Sequence, residues 1–567
     1  MRAMMARMDS AHAEPTGPLE APLHNSDREA SGLVSGAGLA IVLAVVLAPY
    51  LLLVRHFDFL NDDAFISFRY ARHFAEGHGL RFNIGSDPPV EGYSNFLWVL
   101  WLGGLAKLGI DIPTNSRFSS IACGIVLVVW FVLYLRRRFA LRPLSLVCAG
   151  LVLSTLPQMT IWSTSGLASM PTALFVFLCF ERLLGDPERP HPWQAGLFGA
   201  LAALIRADGV GYVGLVGIAA LLLGLRSKNR GLLRACLVVA ACVLVAVSSL
   251  VAWRLSYYGE LVPNTAELKG GYSATRFGRG GNYVAQNLLA TPTLAFLFLA
   301  GLLSIGSRAR TASWSALILV GGTFGYAVYV GGDFLPFARL LVPAVPFAAL
   351  LLVPFWQTWI PDPLQRAVSA GALVGLSMLS SFGISLVPRT VLERFAFRYS
   401  DVQYETEFEN FTKLEMWTES WTEFAHALAK YTKAGESIIL YNVGIAGYYS
   451  DLVIYDMYGL THREAARAAR IQKQASPGHD MIVPDDFFFS YQPTYISAIL
   501  VPKGKVMNLS ILAERSSYLE DIVVERHELL EEDGFTPGAD LILGRVLPAL
   551  PPNGEDDQAK GPEDPGS

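Results

Sequence analysis

Between residues 35 and 388 the chain alternates long apolar runs with short polar breaks, and this alternation constrains its fold more than any other feature. A backbone inside a bilayer must satisfy its own hydrogen bonds, so a run that crosses lipid is a helix unless it belongs to a closed barrel. Crossing takes about 20 apolar residues. Of the 567 residues, 52% are hydrophobic and 16% charged, against about 25% charged in a soluble protein. The deficit lies in the central region, while both ends are ordinary polar sequence. The expected class is a polytopic α-helical membrane protein with a soluble attachment. The first thirty residues mix Arg2, Arg7 and Arg28 with acids and prolines and show no short apolar core before a cleavage site, so no signal peptide is expected. Cys123, Cys148, Cys179, Cys236 and Cys242 all fall in apolar runs, where cysteine acts as a small hydrophobe.

Spans are expected near 34–54, 116–135, 143–158, 171–184, 193–206, 210–225, 232–252, 291–306, 312–330, 340–356 and 366–388, about eleven in all. With a cytoplasmic N-terminus, the connections holding Arg136–Phe139, Asp186–Pro192, Arg226–Arg230, Arg308 and Arg366 all fall inside, as the positive-inside rule asks. Asn95–Gly109 is apolar, but counting it as a span would put Arg136–Arg138 outside. It is therefore expected to be an interfacial or re-entrant outer helix, with Trp98 and Trp101 at headgroup level. The expected domains are a cytoplasmic tail (1–33), a transmembrane domain (34–388) with a first outer loop at 56–96, an extracytoplasmic α/β domain (389–548) and a disordered tail (549–567). In the α/β domain "ESIILYNVG" and "YISAILVP" read as strands and "EFAHALAKY" as helix.

On this threading the residue-rich loops share the outer face. The first carries "NDDAFISFRYARHFAEGHG", with Asp62 and Asp63 opening a helix that Asn61 can cap and Gly77 or Gly79 can end. An apolar stripe of Ala64, Phe68, Ala71 and Ala75 predicts a helix lying on the outer surface. The two acids suit a helix N-terminus on dipole grounds alone; they also suit a general base beside an orienting group or cation. Arg69 and Arg72 can snorkel to headgroups. With Arg206, Lys269 and Arg339 they can equally fork onto a lipid phosphate. Arg206 and Asp208 can also pair with each other. Glu91, Tyr93, Glu260, Asn264 and Asp333 are the polar candidates for substrate contact. No nucleotide fingerprint, metal-ligand spacing or Ser/His/Asp set occurs.

The order of the motifs "DDAFISFRYARHFAEGHGLRFN…VEGYSNFLW", "SGLASM", "RADGV", "YYGELVPNT", "GGDFLPFARLLVP" and "GIAGYYSDLVIYDMYGLTHR" resembles bacterial GT-C glycosyltransferases, in particular the branch of terminal arabinofuranosyltransferase-like (AftB-like) enzymes, over residues 35 to 465. The resemblance implies a GT-C fold in the bacterial cytoplasmic membrane and an inverting transfer from a polyprenyl-phosphate sugar to an extracytoplasmic glycan, glycolipid or protein. It implies an aspartate base in the first outer loop, which maps onto Asp62 and Asp63 alike, and substrate contacts from His462 and Arg463 at the start of the extracytoplasmic domain. Arginines around a phosphate leaving group require no cofactor, although adjacent carboxylates can hold a divalent cation. Membrane lipid is a partner and nucleic acid is not. Relatives commonly carry Glu where this chain has Ala168, so arabinose is not carried over. The competing readings are a glycolipid transporter or flippase, which would place charges at the bilayer midplane, and an inactive glycolipid-binding relative.

Overall fold

The computed structural model describes residues 36–85, 88–268, 274–306, 310–398, 404–471, 476–484, 486–503, 522–536 and 538–547. The expected tails 1–33 and 549–567, Lys269 and Arg308 lie outside them. Every one of the eleven apolar segments is helical, from Gly36–His56 through Ile112–Phe139 to Pro363–Ser381. Among the described residues six helices are long and apolar enough to cross a membrane, or seven with the pair Thr275–Ala290 and Pro292–Leu303, bent by 100°. Others, such as Pro143–Ser154 and Pro192–Ile205, are shorter apolar helices. The chain is a multi-pass membrane protein. Its most enclosed segment is Arg339–Trp359, where Pro343, Pro346 and Pro354 divide one apolar run into three short helical pieces.

Phe96–Ala106 forms a helix of 11 residues, about 16 Å long and too short to span. Trp98 is buried, and its indole donates to the Gly166 carbonyl. Trp101 is half exposed. The Asp62–Glu76 helix is capped by the Asn61 side chain, which accepts from the Asp63 amide, and ends at Gly77 in the left-handed region. It does not lie on the surface as its single apolar stripe suggested. Ala64 through Ala71 are all buried, Arg69 among them, and His73 as well. One side meets Phe96–Ala106 so closely that a Cβ on Gly103 would stand 2.8 Å from the Ala71 carbonyl oxygen. Another meets the C-terminal region.

Among the described residues that region holds seven strands: β1 (Ser437–Leu440), β2 (Val453–Asp456), β3 (Arg470–Ile471), β4 (Met481–Ile482), β5 (Tyr495–Pro502), β6 (Ile522–Glu528) and β7 (Ala539–Val546). Five form a mixed sheet in the order β2-β1-β5-β7-β6, parallel across β2-β1-β5 and antiparallel beyond. β1 and β2 are in register from Ser437↔Val453 to Leu440↔Asp456, so both end at the same edge. The Glu407–Tyr431 helix, opened by a Thr406/Glu409 capping box, packs on the short Gly444–Tyr449 helix. One continuous apolar core runs from the membrane helices through Phe65 and Phe68 into Ile438, Ile454 and Leu541 of the sheet.

Candidate active site

The first turn of the Asp62–Glu76 helix points its two carboxylates at different partners. Asp62 accepts from the amides of Ile445 at 2.8 Å and Gly444 at 3.3 Å, so it is docked against the helix that follows β1. Burial pushes its pKa up to about 7; the neighbouring charges of Asp63 and Asp456 add to this and the two amides oppose it. Gly444 is required for the approach: a Cβ there would sit 2.0 Å from the Asp62 carbonyl oxygen. Asp63 is 54% exposed, and its Oδ2 is 3.7 Å from Arg339 Nη1.

Arg339 is aimed by its surroundings. Its Nε and Nη2 form a fork on Asp333, at 2.7 and 2.9 Å. Just before it, Phe337 and Ala338 both hold φ near +50°, a conformation that costs about 1–3 kcal/mol for each non-glycine residue. The buried Glu407 holds this turn, accepting the Phe337 amide at 2.7 Å while pairing in both its oxygens with Arg398. Beside it lies His479, which burial shifts below the ordinary imidazole range while Asp63, Asp333 and Asp480 pull it up. Asp480 is in turn forked by Arg279. Asp63, Arg339, Asp333 and His479 thus converge.

Arg69 and Arg72 are drawn elsewhere. Arg69 donates to the carbonyls of Phe82, Gly447 and Leu452 and to Asn83, with its guanidinium over the Phe82 ring. Arg72 donates to the Tyr448 carbonyl and pairs with Asp451 at 3.0 Å. Both tie the Asp62–Glu76 helix to the C-terminal region and are turned away from the Asp63 cluster. Asn83 reaches the same region, bonding the Ile454 carbonyl and amide as a strand neighbour would.

The substrate candidates assemble into a second place. Glu91, Glu260, Asn264 and Arg463 line one small cleft with Tyr258. Their polar groups are already partnered: Glu91 is forked by the buried Arg254, Glu260 pairs with Arg463 and Arg467, and Asn264 donates to the Gly459 and Leu460 carbonyls. Burial raises the Glu91 pKa against the pull of Arg254. Tyr93 is buried on the Tyr258 hydroxyl at 3.1 Å. His462 caps the Arg463–Ala468 helix through Nδ1. Arg206 is forked onto Asp208 at 2.9 and 2.6 Å. Ala168 is buried at the start of Ser169–Leu184, two residues from Gly166, whose missing Cβ leaves room for Ala64 and Phe68. Asp333 alone among the seven substrate candidates joins the Asp63 cluster.

Sequence reasoning missed Asp456, Glu407, Asn83 and His479. Asp456 ends β2 fully buried, accepting from the Tyr458 and Thr461 amides, with its pKa raised by burial to about 6. The available signal was an acid closing an apolar strand in "LVIYDMYG". Among the described residues no three His, Cys, Asp or Glu side chains gather in a metal-binding group.

Residues 402–533 match a family model described as a domain of unknown function (DUF8728). No curated protein matches the chain. Among solved structures, ArnT from Cupriavidus metallidurans bound to undecaprenyl phosphate superposes with a TM-score of 0.54 at 13% identity, over 91% of this chain and 100% of that one. The apo form of the same protein gives 0.54 at 13% identity, over 89% and 97%. The arabinofuranosyltransferase AftD from mycobacteria gives 0.46 at 17% identity, over 91% of this chain and 40% of that one. The likeness to ArnT is one of fold: the chain has the GT-C architecture.

Proposed function

We propose that this GT-C chain is a membrane glycosyltransferase that moves a sugar from a polyprenyl-phosphate donor to an extracytoplasmic acceptor with inversion. The observation that carries this reading is the exposed carboxylate of Asp63 beside the preset Arg339 fork. Asp63 serves as the base: it takes the proton of the acceptor hydroxyl as the hydroxyl oxygen bonds to the anomeric carbon. The bond from that carbon to the phosphate oxygen breaks on the opposite face. The transition state has oxocarbenium character, and Arg339 stabilises the departing polyprenyl phosphate. Asp62 is a positioning residue, since its docking on Gly444 and Ile445 sets the helix that carries Asp63. Arg206 and Lys269 are further candidates to meet the donor phosphate. The cluster sits on the outer face in this reading, with the N-terminus in the cytoplasm of a bacterial cell and the chain in its inner membrane.

Support for a lipid-phosphate donor comes from the fold shared with ArnT, which was solved with undecaprenyl phosphate bound. The test is release of free polyprenyl phosphate from a panel of polyprenyl-phosphate sugars (arabinose, mannose, aminoarabinose, galacturonic acid) in the presence of envelope glycan. Asp63→Asn should lower turnover by about 10²–10⁴. Turnover that survives Asp63→Asn but not Asp62→Asn would move the base to Asp62. Binding without consumption of every donor would refute glycosyl transfer.

A further inference from the structure

We infer that the C-terminal sheet contributes an aromatic subsite that takes the sugar rings of the acceptor; this rests on the glycosyl-transfer reading of the Asp63 cluster. Four rings run outward from that cluster. Phe334, next to Asp333, meets His479 with centroids 5.2 Å apart at 83°. His479 meets Tyr458 at 4.8 Å and 63°, and Tyr458 meets Tyr441 at 5.9 Å and 67°. Phe334, His479 and Tyr458 are each partly exposed, and Tyr441 is 41% exposed.

The topology explains why they gather there. Tyr441 directly follows β1, and Tyr458 follows β2 by two residues, so both stand at the carboxyl edge of a parallel strand pair. Ligands of open α/β sheets bind outside this edge. Here it is also the edge against which Asp62 docks, through the amides of Gly444 and Ile445. The ring series therefore starts beside Asp333, which shares Arg339 with the proposed base, and runs to the carboxyl ends of β1 and β2.

Ring faces carry a negative quadrupole that suits the weakly positive C–H patches of a sugar, while tyrosine hydroxyls can bond its oxygens. The nearby charges are already matched, Asp333 by Arg339 and Asp480 by Arg279. That favours a neutral glycan over a charged headgroup. Phosphate would be recognised at Arg339; the rings recognise sugar.

The test is saturation-transfer NMR on the full-length protein in detergent, irradiating aromatic protons. The probe is the oligosaccharide pool released by mild acid from the envelope of the source cells. Saturation should reach sugar ring C–H protons. Tyr441→Leu and Tyr458→Leu, which keep apolar bulk without a ring, should reduce it at least fivefold at unchanged melting temperature, and Tyr441→Phe should retain it. Asp63→Asn should also retain it, which separates this inference from the reaction itself. If Asp63→Asn does not affect turnover yet the Tyr441→Leu loss is seen, the subsite stands and the proposed base falls. No saturation with any component of the pool, or saturation equal in parent and both leucine variants, would overturn the subsite.

Discussion

Substituting Gly444 by alanine tests the junction that places the proposed base. Gly444 does not need a left-handed backbone, so the effect is steric. An added Cβ would stand 2.0 Å from the Asp62 carbonyl oxygen, 2.8 Å from its carbonyl carbon and 2.9 Å from its carboxyl carbon. Ordinary contact begins near 3.4 Å, so the Gly444–Tyr449 helix and Asp62 must separate by about 1.4 Å. Both neighbours at the closest point are backbone, so no side chain can swing away. The hydrogen bonds from Ile445 at 2.8 Å and Gly444 at 3.3 Å would then stretch out of range. Bonds to a charged acceptor contribute about 1.5–3 kcal/mol each, which puts the loss at about 3–6 kcal/mol with Asp62 ionised and at less with it protonated. A displacement of about 1 Å at a catalytic group costs about 10²-fold in rate. Gly444→Ala should therefore lower polyprenyl phosphate release about 10²-fold and make the C-terminal region more sensitive to limited proteolysis. Gly104→Ala is the control, because its Cβ would meet open space within the Phe96–Ala106 helix. There alanine should be neutral or stabilising by about 0.5–1 kcal/mol. If Gly444→Ala melts and turns over like Gly104→Ala, Asp62 does not position the site.

Arg69→Lys replaces a fork serving four acceptors with a point charge, and should cost about 3–5 kcal/mol in thermal unfolding; an unchanged melting curve would show that the loop docks without it. Asp62 is raised in the folded protein to about 7, so its protonated form is favoured there: its contribution is full at acid pH and is lost as pH rises from about 4 through 7. Asp456, raised to about 6, acts in the same direction, while His73, lowered by burial to about 4, acts oppositely below its ordinary value. Melting temperatures of Asp62→Asn and parent should therefore diverge in slope between pH 5 and 7.5, the variant being the flatter; parallel curves would sink the assignment. Arg339→Lys should cut turnover by about 10²–10³, whereas Arg206→Lys, forked onto Asp208, should cut it less. Glu407→Gln leaves Arg398 without its buried partner and frees the strained Phe337–Ala338 turn, so both melting temperature and turnover should fall, by about 3–5 kcal/mol in stability.

The membrane helices were legible because each announces itself as an apolar run. The caps of the Asp62–Glu76 helix were legible because Asn61 and Gly77 act locally. The burial of that helix was not, since what covers its polar side is a segment nearly four hundred positions later. Arg69 looked free for phosphate for the same reason: its acceptors at Gly447 and Leu452 are backbone carbonyls, which leave no mark in side-chain pattern. Ala274–Ala290 falls between the expected spans and carries Gly278, Gly280 and Gly281, yet it is helical. At Gly280 the missing side chain is what lets this helix lie on Val328, whose carbonyl oxygen would be 2.4 Å from a Cβ. Glu407 is one acid in the polar stretch "YETEFENF" and no periodicity marks it; its role follows only from the turn it binds.

The junctions of Asp62 with Ile445 and of Arg69 with Leu452 each span 383 positions of sequence, and that of Asn83 with Ile454 spans 371. Synthesis runs from the N-terminus, so the helix bearing Asp63 is inserted long before the segment that seats it has been made and delivered to the same side. Until then Asp62 has neither amide to dock on, and Arg339 lacks Glu407 behind its strained turn. Contacts of such long range form late. A nascent or truncated chain would therefore carry the acids and arginines without their alignment. On the proposed reading, competence for transfer would arrive only once Glu407, Gly444 and Ile445 have been made and seated.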